Sequence, residues 1–262
     1  MARKPTKAKQ PTEVELAALD RAQRQVYTAW EAARPSTRVK RAQAALAISP
    51  LCADAHVILA RHAASGSPEC LAAWEAGVAA GEAAIGPRGF AEMEGEFWGW
   101  LETRPYMRAR LGLAVELLST AREREALPHL RDLLRLNPDD NQGVRSILAG
   151  ALAGLGEDEE LGTLLDRYDE DESANMGWTR ALLAFRRHGD SEVSRAALAA
   201  ALDNNPHVPA LLTGAKKMPK ALPGLIGFGD ESEAVAYVHG FAAAWRQTPG
   251  AVAWVKARGV PA

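Results

Sequence analysis

Leu136-Asn137-Pro138 and Asn204-Asn205-Pro206 are the two short segments that decide the fold of this 262-residue chain. Their prolines lie 68 residues apart, which is two periods of about 34 residues. A proline cannot continue the helix before it, so each segment is expected to end one helical hairpin where the next begins. The interval therefore predicts two stacked hairpins.

The sequence between the two prolines supports four helices. GVRSILAGALAGL (143–155) and DEELGTLLDRY (158–168) flank a predicted turn at Gly156, and WTRALLAFRR (178–187) and SEVSRAALAAAL (191–202) flank another at Gly189. In this register the apolar positions resemble the small and large core positions of tetratricopeptide repeats. The predicted core of the two hairpins is Leu148, Ala149, Leu152, Leu161, Leu165 and Tyr168, then Ala181, Leu182, Phe185, Ser194, Leu198 and Ala201.

Two further hairpins are predicted upstream, the first clearer than the second. Their core positions are Leu111, Gly112, Val115, Ala126, Leu130 and Leu133, and then Leu59, Ala60, Ala63, Ala72, Ala76 and Ala79. Alternating strand patterns are missing, and a solenoid needs no single central core. The sequence thus predicts an all-α fold, a right-handed α-solenoid of tetratricopeptide-like helical hairpins with a C-terminal capping helix pair.

Residues that break or cap helices predict five segments along the chain. Gly86-Pro87-Arg88-Gly89 is the strongest break, Ser36 is expected to cap a helix from Thr37, and Ser67-Pro68 is expected to start another. The segments are a disordered basic tail (1–12), N-terminal degenerate hairpins (13–86), the repeat array (87–209), a linker loop (210–230) and C-terminal capping helices (231–258).

Charge and cysteine content bear on location and partners. The formal net charge is −2, although the first ten residues are basic, with Arg3, Lys4, Lys7 and Lys9. The rest of the chain is therefore acidic. This acidity argues against a nucleic-acid partner. No apolar run is long enough for a membrane helix, and no apolar segment follows the basic start as in a secretory signal. Cys52 and Cys70 are expected to be free thiols. We expect a cytoplasmic protein that does not bind membranes.

Five motifs, in order, resemble a known family. They are FWGWLETRPYMRARLGLA (97–114), LRLNPDDNQGVR (134–145), TRALLAF (179–185), DNNPHVP (203–209) and GDESEAVAY (229–237). They are similar to the bacterial tetratricopeptide proteins related to the suppressor of tumorigenicity 7 family, across roughly Glu94 to Val255. The resemblance implies a helical-repeat protein of poorly defined molecular role, without an assigned catalytic site.

Residues that carry chemistry elsewhere have structural explanations here. The histidines lack a metal-like companion, and the acidic run from Glu157 to Glu160 follows Gly156 where carboxylates favour a helix N-terminus. The sequence has neither a phosphate-binding loop with a lysine nor a nucleophile elbow. We therefore predict no catalytic residue, no cofactor and no metal.

The register of the repeats predicts a concave binding face. Its candidate partner-binding residues are Tyr106, Ala109, Leu113 and Glu116, then Gly143, Ser146, Gly150 and Ala153, then Met176, Thr179, Leu183 and Arg186. The small residues of the middle set would let a partner backbone approach, let the C-terminal segment fold back into the groove, or pack a neighbouring helix tightly. The linker from Lys216 to Gly229 is one segment that could lie there.

A second candidate site is the junction from Trp98 to Arg110. Arg104, Arg108 and Arg110 form a candidate anion-binding junction, with Tyr106 and Trp100 as stacking surface. Alternatively, the arginines pair with nearby acids, which are Glu92, Glu94, Glu96 and Glu102. Convergence of the three guanidinium groups on one cavity would distinguish the two.

The sequence thus favours a non-catalytic scaffold that binds a peptide or protein segment on its concave face. The alternative is a small-molecule or nucleotide-binding regulator, or an enzyme, with its pocket at the Trp98 to Arg110 junction. The identity of the partner and the oligomeric state stay open.

Overall fold

The computed structural model describes residues 9–258, which form thirteen helices and no strand. The predicted all-α fold is therefore confirmed. In chain order the helices are α1 (Glu13–Glu31), α2 (Pro35–Ile48), α3 (Ala53–His62), α4 (Pro68–Glu92), α5 (Arg104–Ser119), α6 (Glu123–Leu136), α7 (Val144–Leu155), α8 (Asp158–Arg167), α9 (Ala174–His188), α10 (Glu192–Asn204), α11 (Val208–Leu212), α12 (Glu231–Gln247) and α13 (Ala251–Arg258).

Short turns join consecutive helices into hairpins, as the proline spacing predicts. Helix α1 contacts α2, α3 contacts α4, α5 contacts α6, and α9 contacts α10. The predicted turns at Gly156 and Gly189 have φ angles of 73° and 60°, a region that glycine enters without a steric penalty. The tetratricopeptide-like hairpins are thus present in the described residues.

The chain forms two compact units, Met1–Val144 and Arg145–Ala262. The predicted break at Gly86 is a bend inside α4, where φ is 67° and the side chain of Gln10 accepts a hydrogen bond from the N–H of Arg88 at 3.2 Å. The limits predicted for the five segments stay predictions. Most of the predicted basic tail lies outside the described residues.

Helix caps in the first unit match one prediction and correct another. Ser67 accepts a hydrogen bond from the N–H of Cys70 at 3.1 Å, and Pro68 follows it, so the predicted start of α4 is confirmed. Ser36 does not cap α2, because that helix already begins at Pro35 with Arg34 at the cap position. Proline suits the first helical position, since the N–H that it lacks would have no partner there.

The second unit is built around a cluster of buried aromatic rings. Trp178 on α9 is fully buried, and its ring centroid lies 6.5 Å from that of Tyr237 and 6.2 Å from that of Trp245, both on α12. Trp254 on α13 stacks on Phe185 of α9 at 4.7 Å. Aromatic pairs of this geometry add about 1 kcal/mol each beyond the area that they bury. The C-terminal helix pair therefore caps the repeats through α9.

A buried carboxylate, that of Glu233, joins the start of α12 to other parts of the second unit by hydrogen bonds. Its two oxygens accept hydrogen bonds from the N–H of Ala174 at 2.9 Å, the N–H of Gly229 at 2.9 Å and the amide Nδ2 of Asn205 at 3.0 Å. The carbonyl of Asn205 in turn accepts from the indole Nε1 of Trp178 at 3.2 Å. The GDESE motif (229–233) and the NNP motif (204–206) thus belong to one hydrogen-bond network. This network also provides an acceptor for the N–H of Ala174 at the N-terminus of α9.

Replacing Glu233 with alanine should destabilise the second unit by about 3 kcal/mol, because two buried donors and one partly buried donor would lose a charged acceptor. Urea unfolding followed by circular dichroism measures this change. The matched control is Glu231→Ala two residues earlier, where an exposed ion pair with Lys216 is worth about 0.5 kcal/mol or less. Equal losses in the two variants would contradict the network.

Cys52 and Cys70 are both buried and unpaired with each other, as predicted from their spacing. Burial raises the pKa of Cys52 to about 11, so at pH 8 the neutral thiol predominates and the reactive thiolate is scarce. We expect the native protein to react slowly with an aromatic disulfide reagent at pH 8, and both thiols to react at once in guanidinium chloride. Rapid reaction of the native protein would show that these helices open readily.

Candidate functional site

The residues predicted to line the groove on α5 lie inside the first unit. Tyr106 and Ala109 are fully buried, and Leu113 is nearly so. The ring of Tyr106 packs edge-on against Phe90 at 5.2 Å between centroids. This face of α5 is covered because Gly81 of α4 leaves room for it, an ideal Cβ at Gly81 being only 2.7 Å from the Cβ of Tyr106.

Glu116, the fourth predicted groove residue on α5, binds the loop between α3 and α4. Its carboxylate accepts hydrogen bonds from Ser65 Oγ at 3.1 Å and from the N–H of Gly66 at 2.6 Å. The side chain is buried apart from a small exposed fraction. Glu116 therefore has a structural role in this conformation, closing one end of the α3–α4 hairpin.

The opposite face of α5 lines an open cavity of about 450 Å³ in the first unit. Leu111, Gly112 and Val115, which the repeat register assigned to the core, lie on this cavity, and Val115 is 46% exposed. The core assignment of Val115 is therefore wrong. Periodicity identifies a stripe along a helix, but it cannot say which of two apolar stripes the neighbouring helices cover.

Two tryptophans and a few polar side chains complete the cavity. The ring of Trp74 lies over Gly112, where an ideal Cβ would be 2.1 Å from it, so only glycine fits at this position. The cavity walls include Arg61, Trp74, Trp98, Arg108, Asn141 and Gln142. The side-chain oxygen Oε1 of Gln142 is buried and accepts no hydrogen bond from the described residues.

The three arginines of the predicted junction diverge. Arg108 donates through Nε and Nη2 to the fully buried Asp54 at 2.9 and 2.7 Å. Arg110 pairs with Asp132 on α6 at 2.7 Å, and Arg104 donates to the carbonyl oxygen of Trp98 at 2.9 Å. Their guanidinium groups therefore do not converge on one anion-binding cavity.

Two of the four acids predicted as partners of these arginines pair with other residues. Glu92 pairs with Arg88 at 2.7 Å, and Glu94 pairs with Arg135. The prediction that the arginines pair with carboxylates holds for Arg108 and Arg110, but with Asp54 and Asp132 in place of the local glutamates. Residue 54 precedes Arg108 by 54 positions, and no local sequence signal marks such a pairing.

A partly buried polar cluster surrounds Arg110. Burial raises the pKa of Tyr106 to about 12 and raises the pKa of Glu82. Burial and the positive charge of Arg110 lower the pKa of His129, so its imidazole is neutral at pH 7. Among residues 9–258, no group of three or more His, Cys, Asp or Glu side chains is arranged to hold a metal ion.

In the second unit, α12 packs against Gly150 of α7 and against α9, and three predicted groove positions of α9 are buried. Met176 and Thr179 are fully buried, and Leu183 nearly so. An ideal Cβ at Gly150 would lie 3.4 Å from the ring of Phe241, which belongs to α12. The segment on this face is therefore α12, one form of the predicted fold-back of the C-terminal segment.

The remaining predicted residues of the second face have different surroundings. Gly143 is exposed with a φ of 71°, Ser146 is partly exposed, and Ala153 is buried. Arg186 donates to Asp158 at 2.7 Å, to the carbonyl oxygen of Ala153 at 2.9 Å and to Thr248 Oγ1 at 2.9 Å. Its guanidinium group thus joins α7, α8 and the end of α12, a role that the repeat register did not predict.

A second cavity, of about 550 Å³, lies beside Arg186. It is lined mainly by turn residues and by the start of the α12–α13 connection, including Gly154, Gly156, Phe185, Gln247 and Pro249.

None of the helices in residues 9–258 is both long enough and apolar enough to cross a membrane. The longest of them, α4, is interrupted by Gly86 and Pro87.

Comparison with known proteins identifies the family. The family model described as "ST7 protein" matches residues 15–258. The "Protein ST7 homolog" of Drosophila melanogaster is 26% identical over 252 residues, covering 87% of this chain and 46% of that protein. The "Suppressor of tumorigenicity 7 protein-like" of Bos taurus is 27% identical, covering 86% and 44%, and the "Protein ST7 homolog" of Caenorhabditis elegans is 28% identical, covering 87% and 48%.

The chain thus spans less than half the length of these curated relatives. Among solved structures, the tetratricopeptide protein YrrB, described as having an unusual peptide-binding site, is 15% identical with a TM-score of 0.46, covering 71% of this chain and 84% of that one. Because the family match extends over nearly the whole of the described residues and includes every motif quoted above, the chain belongs to the ST7 family.

Proposed function

We propose that this protein is a non-catalytic interaction module of the cytoplasm that binds an extended peptide or protein segment in the cavity of the first unit. The observation that carries the proposal is the cavity itself, about 450 Å³ in volume and walled by Trp74, Trp98 and the half-exposed Val115. An apolar cavity with a few converging polar groups is the usual form of a binding site.

The polar groups of the cavity suit a peptide. The amides of Asn141 and Gln142 each offer a donor and an acceptor, which is the pair that a peptide bond presents. The buried Oε1 of Gln142 lacks a donor among the described residues, and an N–H of a bound segment would supply one. Arg61 is exposed at the end of α3 and has no ion pair in the described part of the chain, so it is free to meet a carboxylate.

The same observations support binding over catalysis. Arg108 pairs with Asp54 and Arg110 pairs with Asp132, so two of the three arginines of the junction already have carboxylate partners. The anion-binding site suggested for the junction would need its three guanidinium groups aimed at one phosphate, and these groups bind separate acceptors. The small-molecule alternative therefore has less support. The two buried free thiols suit a reducing compartment.

Binding is testable with a displayed library of random twelve-residue peptides, panned on the full chain. A selected peptide should lose at least about tenfold in affinity in Val115→Glu, because a charge would replace an apolar wall of the cavity. Arg61→Glu should weaken peptides that carry an acidic residue. Isothermal titration calorimetry with the synthetic peptide measures each change.

The matched control is Arg34→Glu. It makes the same charge reversal as Arg61→Glu, but at an exposed arginine that precedes α2 and does not line the cavity. It should bind the peptide as the unaltered chain does, and circular dichroism should show all three variants folded. If the library yields no binder, or if Val115→Glu binds as well as Arg34→Glu, the cavity is not the recognition site.

Stability tests the wall of the cavity independently of any ligand. Gly112→Ala should lower the free energy of unfolding by about 2 kcal/mol, because the new methyl group would overlap the ring of Trp74. Gly240→Ala, at an exposed helical glycine with nothing within 4 Å, should raise it by about 0.5–1 kcal/mol. Urea unfolding measures both. Equal effects of the two substitutions would show that Trp74 does not rest on Gly112.

A further inference from the structure

Residues 222–228, which we name the apolar prong, expose four large apolar side chains within seven positions of the linker before α12. Leu225 and Phe228 are 89% and 86% exposed, and Leu222 and Ile226 are more than half exposed. Single exposed apolar residues are common on protein surfaces, but a contiguous group marks an interaction site. The prong lies in the second unit.

Hydrogen bonds hold both ends of the segment that carries the prong. The N–H of Lys216 donates to the carbonyl oxygen of Ala210 at 2.7 Å, the N–H of Gly227 donates to Ser232 Oγ at 2.9 Å, and the N–H of Gly229 donates to Glu233. Pro219 and Pro223 further restrict the backbone. A segment ordered before binding loses less conformational entropy on binding, which favours a partner of fixed shape.

Positively charged residues precede the prong in the sequence. Lys216 pairs with Glu231 at 2.5 Å, whereas Lys217 and Lys220 are exposed and make no ion pair within residues 9–258. A partner that accommodates the apolar side chains would therefore gain from carboxylates around its binding groove. Charge complementarity of this kind speeds association and selects partners.

We propose that the apolar prong is a docking element that inserts Leu225 and Phe228 into an apolar groove on another protein, with acidic residues on the rim of that groove meeting Lys217 and Lys220. Leu225 and Phe228 would bury apolar surface in the groove, which favours association, and the lysines supply the electrostatic steering.

Local charge favours a protein over an anionic membrane. Attachment to acidic lipid relies on clusters of about four to eight basic residues. Here three lysines are opposed by Asp230 and Glu231, which follow the prong directly. The remaining attraction to an anionic surface is small, so the apolar side chains would have to insert almost unaided.

The cavities of a second copy of this chain are poor receptors for the prong. The cavity of the first unit has Arg61, which forms no ion pair in the described part of the chain, on its wall, and this arginine would repel Lys217 and Lys220. The acid that lines the same cavity, Glu116, already accepts hydrogen bonds from Ser65 and Gly66. In the second unit, Asp158 is the acid on the cavity wall, and Arg186 already occupies it at 2.7 Å. A groove on a different protein fits the charges better.

Photo-crosslinking in the source cells tests the proposal on the full chain. Benzoylphenylalanine is placed at Phe228 and, as a matched control, at Val193, an apolar side chain on α10 that is 58% exposed and lies outside the prong. We expect one discrete adduct with a different protein from position 228 and none from position 193. The captured protein is then purified, and its affinity for the unaltered chain is measured.

Substitutions separate the apolar and charged contributions to that affinity. Leu225→Ser with Phe228→Ser should weaken binding at least about tenfold without changing the thermal midpoint, since both side chains are exposed. Lys217→Glu with Lys220→Glu should slow association and reduce its dependence on salt. Val193→Ser should leave the affinity unchanged.

Three results would overturn the proposal. The first is the absence of an adduct at position 228, or an affinity that survives loss of Leu225 and Phe228. The second is an adduct that joins two copies of this chain. The third is sedimentation of the chain with phosphatidylserine vesicles that the Leu225→Ser and Phe228→Ser substitutions abolish, which would make the prong a membrane-insertion element.

Discussion

The buried carboxylate of Glu233 is the interaction on which the second unit depends. A charged oxygen is stable inside a protein only when donors surround it, and here Ala174, Asn205 and Gly229 supply them from three separate parts of the chain. This requirement fixes where α12 begins relative to α9. With that end in place, Tyr237 and Trp245 of α12 contact Trp178 of α9 in the aromatic cluster.

The helices packed beside α5 and α9 decide which surfaces of each unit stay open. Helices α5 and α9 occupy corresponding places in their hairpins, yet α9 is covered on the face that the repeat register predicted to be open. Helix α5 is covered on that face by α4, because Gly81 allows a close approach. Its other face remains accessible around Val115. Both helices are thus covered on the face that the repeat register predicted to be open, and in the first unit the candidate binding surface lies on the other face of α5.

Sequence reasoning predicted the hairpins well, but it did not predict which side of α5 its neighbours cover. The spacing of Pro138 and Pro206, the turns at Gly156 and Gly189, and the cap at Ser67 are local signals, and each was confirmed. Which stripe of α5 is covered depends on α4, and the partner of Arg108 lies on α3. Contacts between residues so far apart leave no periodic trace in a single sequence. The family motif GDESE was recognisable as a pattern, but the capping of α9 by Glu233 became evident only from the structure.

The linker between α11 and α12 contributes few side chains to the packing of either neighbour. Its ends are held by backbone hydrogen bonds and by Glu233, while the residues between them are largely exposed. Substitutions and changes of length between these anchors would therefore cost the fold little. During evolution, descendants of this chain could exchange one surface loop for another and acquire different binding preferences, while the helices beneath it stayed under unchanged selection.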